Sequence, residues 1–166
     1  VLGPEMKSTG EVMGIDNTAW GSFIRAQKGI GVELPESGTV FLSLKDEDKE
    51  AALVLGKKLS GLGFKLVATK GTANFLKTNG IEASSINKVL EGSPHIVDAL
   101  YQGEIDLVIN TPEGTGPLLD SRSIRSTATE LSVPLFTTIS AAEVAVDSIE
   151  NSKSGLEMGV CSIQEY

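Results

Sequence analysis

The chain has 166 residues and a formal net charge of −8, with Cys161 as its only cysteine and His95 as its only histidine. This length fits one domain with a sizeable core. The acidic balance, without a cluster of basic residues, argues against nucleic acid as a partner. No apolar run reaches the length of a membrane span, and one cysteine excludes an internal disulfide and a thiolate metal cage. No membrane partner or metal site is expected, and we expect a cytoplasmic protein.

Residues 1–37 do not alternate regularly between strands and helices. The opening "VLGPEMKSTGEVMGID" contains glycine and proline without a sustained period. A helix is predicted from about Asn17 to Lys28, and "GIGVELPESG" reads as a linker. We interpret 1–37 as the edge of a preceding domain and 38–166 as a second domain.

From residue 38 onward, short apolar runs alternate with amphipathic segments. The predicted strands are "GTVFLSL", "FKLVAT", the weaker "ASSINKV", "EIDLVIN" and "VPLFTT", and "MGVCSI" is a candidate for a last one. The predicted helices are "DEDKEAALVLGKKLSGLG", which should close at Gly61 or Gly63, "GTANFLKTNG", "SPHIVDALYQG", "DSRSIRSTATELS" and "SAAEVAVDSIE". This alternation predicts an α/β fold: a three-layer, doubly wound, mainly parallel five-stranded sheet.

Ligands of such sheets lie outside the carboxyl ends of the strands. The segment "LVATKGTANFL" ends one strand in Thr-Lys-Gly-Thr, where a glycine permits close backbone approach and the free N–H groups of a helix start point at an anion. Neighbouring turns add two lysines and a polar strand end. The candidate anion-site residues are Lys49, Thr69, Gly71, Thr72, Lys88, Asn110 and Thr111.

Simpler interpretations stay open for each feature. Thr72 could serve only as a helix N-cap, and each lysine could be a solvated surface residue. His95, near a predicted helix start, fits a structural or solvent-facing role better than a catalytic one. The acidic run 46–48 is better explained as a helix-start charge cluster than as acid–base catalysts, and Cys161 fits a buried, inert position.

Several segments together resemble a known family. "STGEVMG", "ATKGTA", "INKVLEG", "DLVINTP" and "DSRSIRSTA", in this order, are similar to the end of the large chain of carbamoyl-phosphate synthase. The stretch "MKSTGEVMGID" resembles the close of its second ATP-grasp region. Everything after residue 38 resembles its C-terminal allosteric domain, which has the methylglyoxal-synthase-like fold.

The resemblance implies a non-catalytic domain that binds a nucleoside monophosphate, with UMP inhibiting and, in some members, IMP activating. By matching motif, the phosphate and sugar would be held by Lys49, Thr69, Thr72, Lys88 and Asn110. No cofactor is implied for this fragment, whereas the parent enzyme uses ATP with Mg or Mn. The implied partners are the remainder of the large chain and the glutaminase small chain, and self-association stays open.

Two departures from the family pattern bear on the effector. The segment Gly114-Thr115-Gly116 stands where many relatives carry paired arginines, and Pro112 replaces a threonine. The segment "LFTT" at 135–138 differs from the Tyr-Asp-Thr-Thr of members that respond to ornithine, so ornithine activation is not expected.

Two other functions compete with this interpretation. Methylglyoxal synthase shares the fold, but it has a histidine where this chain has Lys45, and it uses a further histidine and an aspartate, so one histidine is too few. An orphan binding module for a phosphorylated metabolite would require "STGEVMG" to be a coincidence.

Overall fold

The computed structural model describes residues 12–111, 118–153 and 162–165, in which five strands alternate with helices. The strands are β1 (Thr39–Ser43), β2 (Lys65–Thr69), β3 (Ser84–Ile86), β4 (Leu107–Asn110) and β5 (Leu135–Phe136). The helices are α1 (Ala19–Gly29), α2 (Lys49–Gly61), α3 (Lys70–Thr78), α4 (Ile96–Tyr101), α5 (Leu118–Glu130) and α6 (Ile139–Lys153). Within these ranges, no helix is long and apolar enough to cross a membrane.

The strands form one sheet in the order β3-β2-β1-β4-β5, and every neighbouring pair is parallel. The central strand β1 pairs with β2 on one side and β4 on the other, so the chain winds outward in both directions. This topology confirms the predicted α/β doubly wound sheet. Of the candidate last strand, residues 158–161, including Cys161, lie outside the described residues, and 163–165 form a 3-10 turn.

Two apolar layers enclose the sheet because successive strand residues point to opposite faces. Val40 and Leu42 belong to one layer, and Phe41 between them belongs to the other. The first layer is covered by α2, α3 and α6, through residues such as Leu55, Leu76 and Val146. The second is covered by α4 and α5, through residues such as Leu100 and Ile124.

Helix α1 packs on the outside of α6. It begins after Thr18, whose hydroxyl accepts the Gly21 N–H (3.1 Å). Asp16 holds Arg25 at 3.0 Å, which fastens the preceding segment to the helix. The Ser148 hydroxyl of α6 donates to the main-chain oxygen of Trp20 at 3.3 Å. The helix therefore rests on the sheet domain, and the division at 37/38 stays a prediction.

Candidate functional site

The strand order reverses between β1 and β4, which lie side by side at the centre of the sheet. After β1 the chain turns to α2 on one face, and after β4 it leads to α5 on the other. Doubly wound folds bind ligands outside the carboxyl ends of the two strands at such a reversal. We call this side of the sheet the carboxyl edge.

Two threonine hydroxyls organise the carboxyl edge around the end of β1. The Leu44 N–H donates to the Thr72 hydroxyl at 3.3 Å, and the next amide, of Lys45, donates to the Thr111 hydroxyl at 3.1 Å. Thr72 also accepts from the Thr69 hydroxyl at 3.2 Å. All three threonines are buried. The main chain leaving β1 is thus tied to the start of α3 on one side and to the end of β4 on the other.

Helix α3 begins at Lys70, one residue before the predicted helix "GTANFLKTNG". Lys70 is its first residue and Thr69 its N-cap, in an extended conformation and without a side-chain cap hydrogen bond. Thr72 lies inside the first turn, so the interpretation of Thr72 as a plain N-cap is wrong. The N–H groups of 70–72 belong to the first turn, where α-helical geometry provides no intrahelical acceptor.

Lys49 lies against this first turn. A methyl group built on Gly71 would be 3.8 Å from the Lys49 Nζ atom, so the ammonium group is next to the helix start. Gly71 itself is exposed, which leaves its backbone accessible. The structure therefore brings Lys49, Thr69, Gly71 and Thr72 together, and we call these four residues the cradle.

Asn110 is the last residue of β4 and Thr111 follows it, on the other side of β1 from the cradle. The buried Asn110 side chain donates to the Ser121 hydroxyl of α5 at 2.9 Å, which fixes its orientation. The Thr111 N–H donates to the main-chain oxygen of Ser43 at 3.0 Å. Both predicted residues therefore lie at the carboxyl edge, on the β4 side.

The Glu91 carboxylate contacts two lysines of the carboxyl edge. Glu91 accepts the Lys88 N–H at 3.0 Å and pairs with the Lys70 ammonium at 3.5 Å. The Lys88 backbone hydrogen bond, followed by the charges of Lys70 and Lys88, lowers the pKa of Glu91. Lys88 is thus linked to the start of α3 through Glu91.

The acidic run Asp46–Asp48 forms a 3-10 turn that leads into α2, as expected for a helix-start cluster. Asp46 pairs with Lys49. Lys45 pairs with Glu47 at 2.9 Å and with Asp48 at 3.9 Å, and the Glu47 hydrogen bond is the main cause of its raised pKa. Sequence reasoning did not single out Lys45, Lys70 and Glu91, which form ion pairs at this edge. The strand-end positions of the two lysines were the available signal.

His95 caps α4 and lies outside the cradle. Its Nδ1 accepts the Asp98 N–H at 3.2 Å, and the Asp98 carboxylate accepts the His95 N–H at 2.9 Å. The Ser93 hydroxyl, followed by this backbone bond, lowers the pKa of Asp98. The expectation of a structural histidine is confirmed. The predicted loop Gly114-Thr115-Gly116 and Pro112 lie outside the described residues.

Several cavities lined by described residues lie away from the carboxyl edge. One of about 220 Å³ lies between α1, residues 32–36 and α6. Another of about 370 Å³ lies near the amino ends of β1, β2 and β3, beside Lys65 and Glu82. Among the residues of the described ranges, no group of three acidic, histidine or cysteine side chains is placed to hold a metal ion.

Comparison with known proteins shows the family to which this chain belongs. The sequence matches the MGS-like domain family over residues 51–137. Over 166 residues it is 50% identical to the carbamoyl phosphate synthase large chain of Myxococcus xanthus and 48% identical to that of Mesorhizobium japonicum. Both alignments cover 100% of this chain, but the chain spans only 15% and 14% of the length of those proteins.

A shorter relative and a solved structure agree with this match. The chain is 52% identical over 151 residues to the "carbamoyl phosphate synthase large chain, C-terminal section" of Methanopyrus kandleri, covering 90% of this chain and 28% of that one. The crystal structure of methylglyoxal synthase from Elizabethkingia anophelis superimposes with a TM-score of 0.56. Its sequence identity is 20%, and the match covers 68% of this chain and 79% of the other. The likeness shows a shared fold.

Proposed function

The chain belongs to the MGS-like domain family, and from that membership we propose that it is the allosteric regulatory domain of a carbamoyl phosphate synthase large chain. In this proposal a nucleoside monophosphate binds at the carboxyl edge, either UMP as an inhibitor or IMP as an activator. The chain itself performs no catalysis and uses no cofactor.

The observation that supports this proposal is the position of the Lys49 ammonium beside Gly71, at the first turn of α3. Backbone N–H groups at a helix start, a neighbouring cation and exposed glycine backbone form a site that suits a phosphate group. A phosphate monoester carries about −1.5 to −2 charges at pH 7, so a helix start with one lysine complements it well.

We assign the sugar to the β4 side of the carboxyl edge. The Thr111 hydroxyl already accepts the Lys45 N–H, so its proton is available to donate to a ligand oxygen. Asn110 is fixed by Ser121, which favours a positioned polar group over a mobile one. Lys88 provides a second cation for the phosphate, on the β3 side of the cradle.

The parent protein supplies the rest of the proposed function. It would synthesise carbamoyl phosphate from glutamine and bicarbonate with ATP and Mg or Mn, for pyrimidine and arginine biosynthesis in the cytoplasm. The remainder of the large chain and the glutaminase small chain would be the protein partners. Effector binding at the carboxyl edge would act on catalysis elsewhere in that assembly, through differential affinity for its conformational states.

A calorimetric titration with UMP, IMP and ornithine tests the proposal. We expect UMP or IMP to bind, and Lys49→Ala to weaken binding by about 10- to 100-fold, since a charge-assisted hydrogen bond contributes about 1.5–3 kcal/mol. Lys57→Ala is the matched control because Lys57 is an exposed lysine of the same helix, α2. Equal affinity of wild type and Lys49→Ala would refute the cradle, and no binding of either nucleotide would refute the proposed function.

Methylglyoxal synthase is the second candidate, favoured by the shared fold. It would need histidines in acid–base roles, and the single histidine of this chain is engaged as the cap of α4. At the corresponding strand end stands Lys45, held by Glu47. The regulatory assignment is therefore the better supported of the two.

A further inference from the structure

Lys49 has an anionic neighbour that belongs to the protein itself. Its ammonium group pairs with the carboxylate of Asp46, three residues earlier. The Lys49 side chain is 20% exposed, whereas the Asp46 side chain is 81% exposed. The carboxylate is therefore the more solvent-exposed member of the pair, and the ammonium is the member that lies next to Gly71.

We propose that Asp46 is an internal competitor for the anion site: its carboxylate holds the Lys49 ammonium, and a bound phosphate has to share or take over that contact. This inference rests on the proposed function, because it concerns the affinity of the same site. It assigns to Asp46 a positioning role through Lys49, without contact to the ligand.

The competition follows from the chemistry of the two groups. Lys49 Nζ is a compact charge with three donors, so a carboxylate on one side reduces what is available to a phosphate on the other. Exposed ion pairs are weak and change an equilibrium by about fivefold at most. Asp46 therefore lowers the affinity for a phosphate without closing the site. The effect depends on the charge of the ligand, and an uncharged nucleoside is insensitive to it.

The neighbouring acids distinguish this role from a general charge effect. Glu47 is 83% exposed and directs its carboxylate to the Lys45 ammonium at 2.9 Å. Glu47→Gln removes the same charge, one position away, from a carboxylate that is paired with a different lysine. It is the matched control for Asp46→Asn.

The experiment titrates UMP, with uridine as the uncharged probe, into wild type, Asp46→Asn, Glu47→Gln, Lys49→Ala and the Asp46→Asn/Lys49→Ala double variant. Low ionic strength is used because salt screens exposed charges. We expect Asp46→Asn to tighten UMP binding by about three- to fivefold, which is within the range of an exposed pair. Glu47→Gln should change UMP binding by less than about twofold, because its carboxylate is paired with Lys45 and not with Lys49. Uridine binding should not respond to either substitution. In the Lys49→Ala background, Asp46→Asn should have no further effect.

Each contrary result has a defined meaning. If Asp46→Asn and Glu47→Gln tighten UMP binding equally, the effect is a general charge effect. If Asp46→Asn still tightens UMP binding in the Lys49→Ala background, Asp46 repels the phosphate directly. Either result overturns the inference. UMP binding that weakens in Lys49→Ala but is unchanged in Asp46→Asn would overturn the inference while leaving the proposed function standing. No UMP binding to wild type or to Asp46→Asn would overturn both. Melting curves of each variant confirm that it is folded.

Discussion

Thr72→Val replaces a buried hydroxyl by a methyl group of similar shape at the point where β1 meets α3. Thr72 is 1% exposed and accepts the Leu44 N–H at 3.3 Å and the Thr69 hydroxyl at 3.2 Å. Valine accepts neither hydrogen bond. Thr69 can rotate its hydroxyl to another acceptor, whereas the Leu44 amide is fixed in the main chain and loses its acceptor.

The expected loss is set by this stranded amide. An unsatisfied buried donor costs about 1–3 kcal/mol, so Thr72→Val should lower the free energy of unfolding by about 2 kcal/mol. Urea denaturation should show a lower midpoint with an unchanged slope. Thr78→Val is the control, because Thr78 is an exposed residue of the same helix, and it should change stability by less than about 0.5 kcal/mol. A Thr72→Val variant as stable as this control would refute the structural role of the hydroxyl.

Three further predictions concern Lys88, the chemistry of the chain and its pH dependence. Lys88→Ala should weaken UMP binding by about 10-fold or more in calorimetry if its ammonium contacts the phosphate, and unchanged affinity would remove Lys88 from the site. The chain should not turn over dihydroxyacetone phosphate in a methylglyoxal assay, and turnover that Lys45→Ala abolishes would contradict this. The pKa of Asp98 is lowered by the Ser93 hydroxyl and the His95 N–H. The ionised Asp98 carboxylate therefore stabilises the fold above its unfolded pKa of about 3.8, and this contribution is lost as the pH falls below that value. Denaturation at pH 5 and pH 3 should show a smaller loss for Asp98→Asn than for wild type, and equal losses would contradict this.

Much of the fold could be predicted from the sequence because the elements carry strong local signals. Residues 107–110 are buried without interruption, as "EIDLVIN" indicates for a strand covered on both faces. Helix α2 ends at Gly61, and Gly63 follows with φ +89°, which fits the glycine stop signal. The strand order and the packing of α1 on α6 were not predictable, because they depend on contacts between segments far apart in the chain, such as Ser148 with Trp20.

The convergence of the candidate residues was predictable, whereas their internal arrangement was less so. Polar residues at strand ends indicate where a parallel sheet binds ligands, and the structure brings Lys49, Thr69 and Thr72 to one place. The start of α3 at Lys70 was not predictable, since a Thr-Lys-Gly-Thr sequence offers two threonines as caps and tertiary contacts decide between them. Thr72 is drawn into the helix because its hydroxyl accepts the Leu44 amide, which no local pattern reveals.

Buried hydrogen bonds and exposed ion pairs have different roles at the carboxyl edge. The buried hydroxyls of Thr72 and Thr111 hold the main chain after β1, so substitutions there should act on stability first. The lysines and acids around them are more exposed and form pairs that are individually weak. Substitutions of Asp46 or Lys49 should therefore change affinity while the fold is retained. Because the buried hydroxyls and the exposed charges are separate groups, the charges of this edge can be substituted without a change of fold.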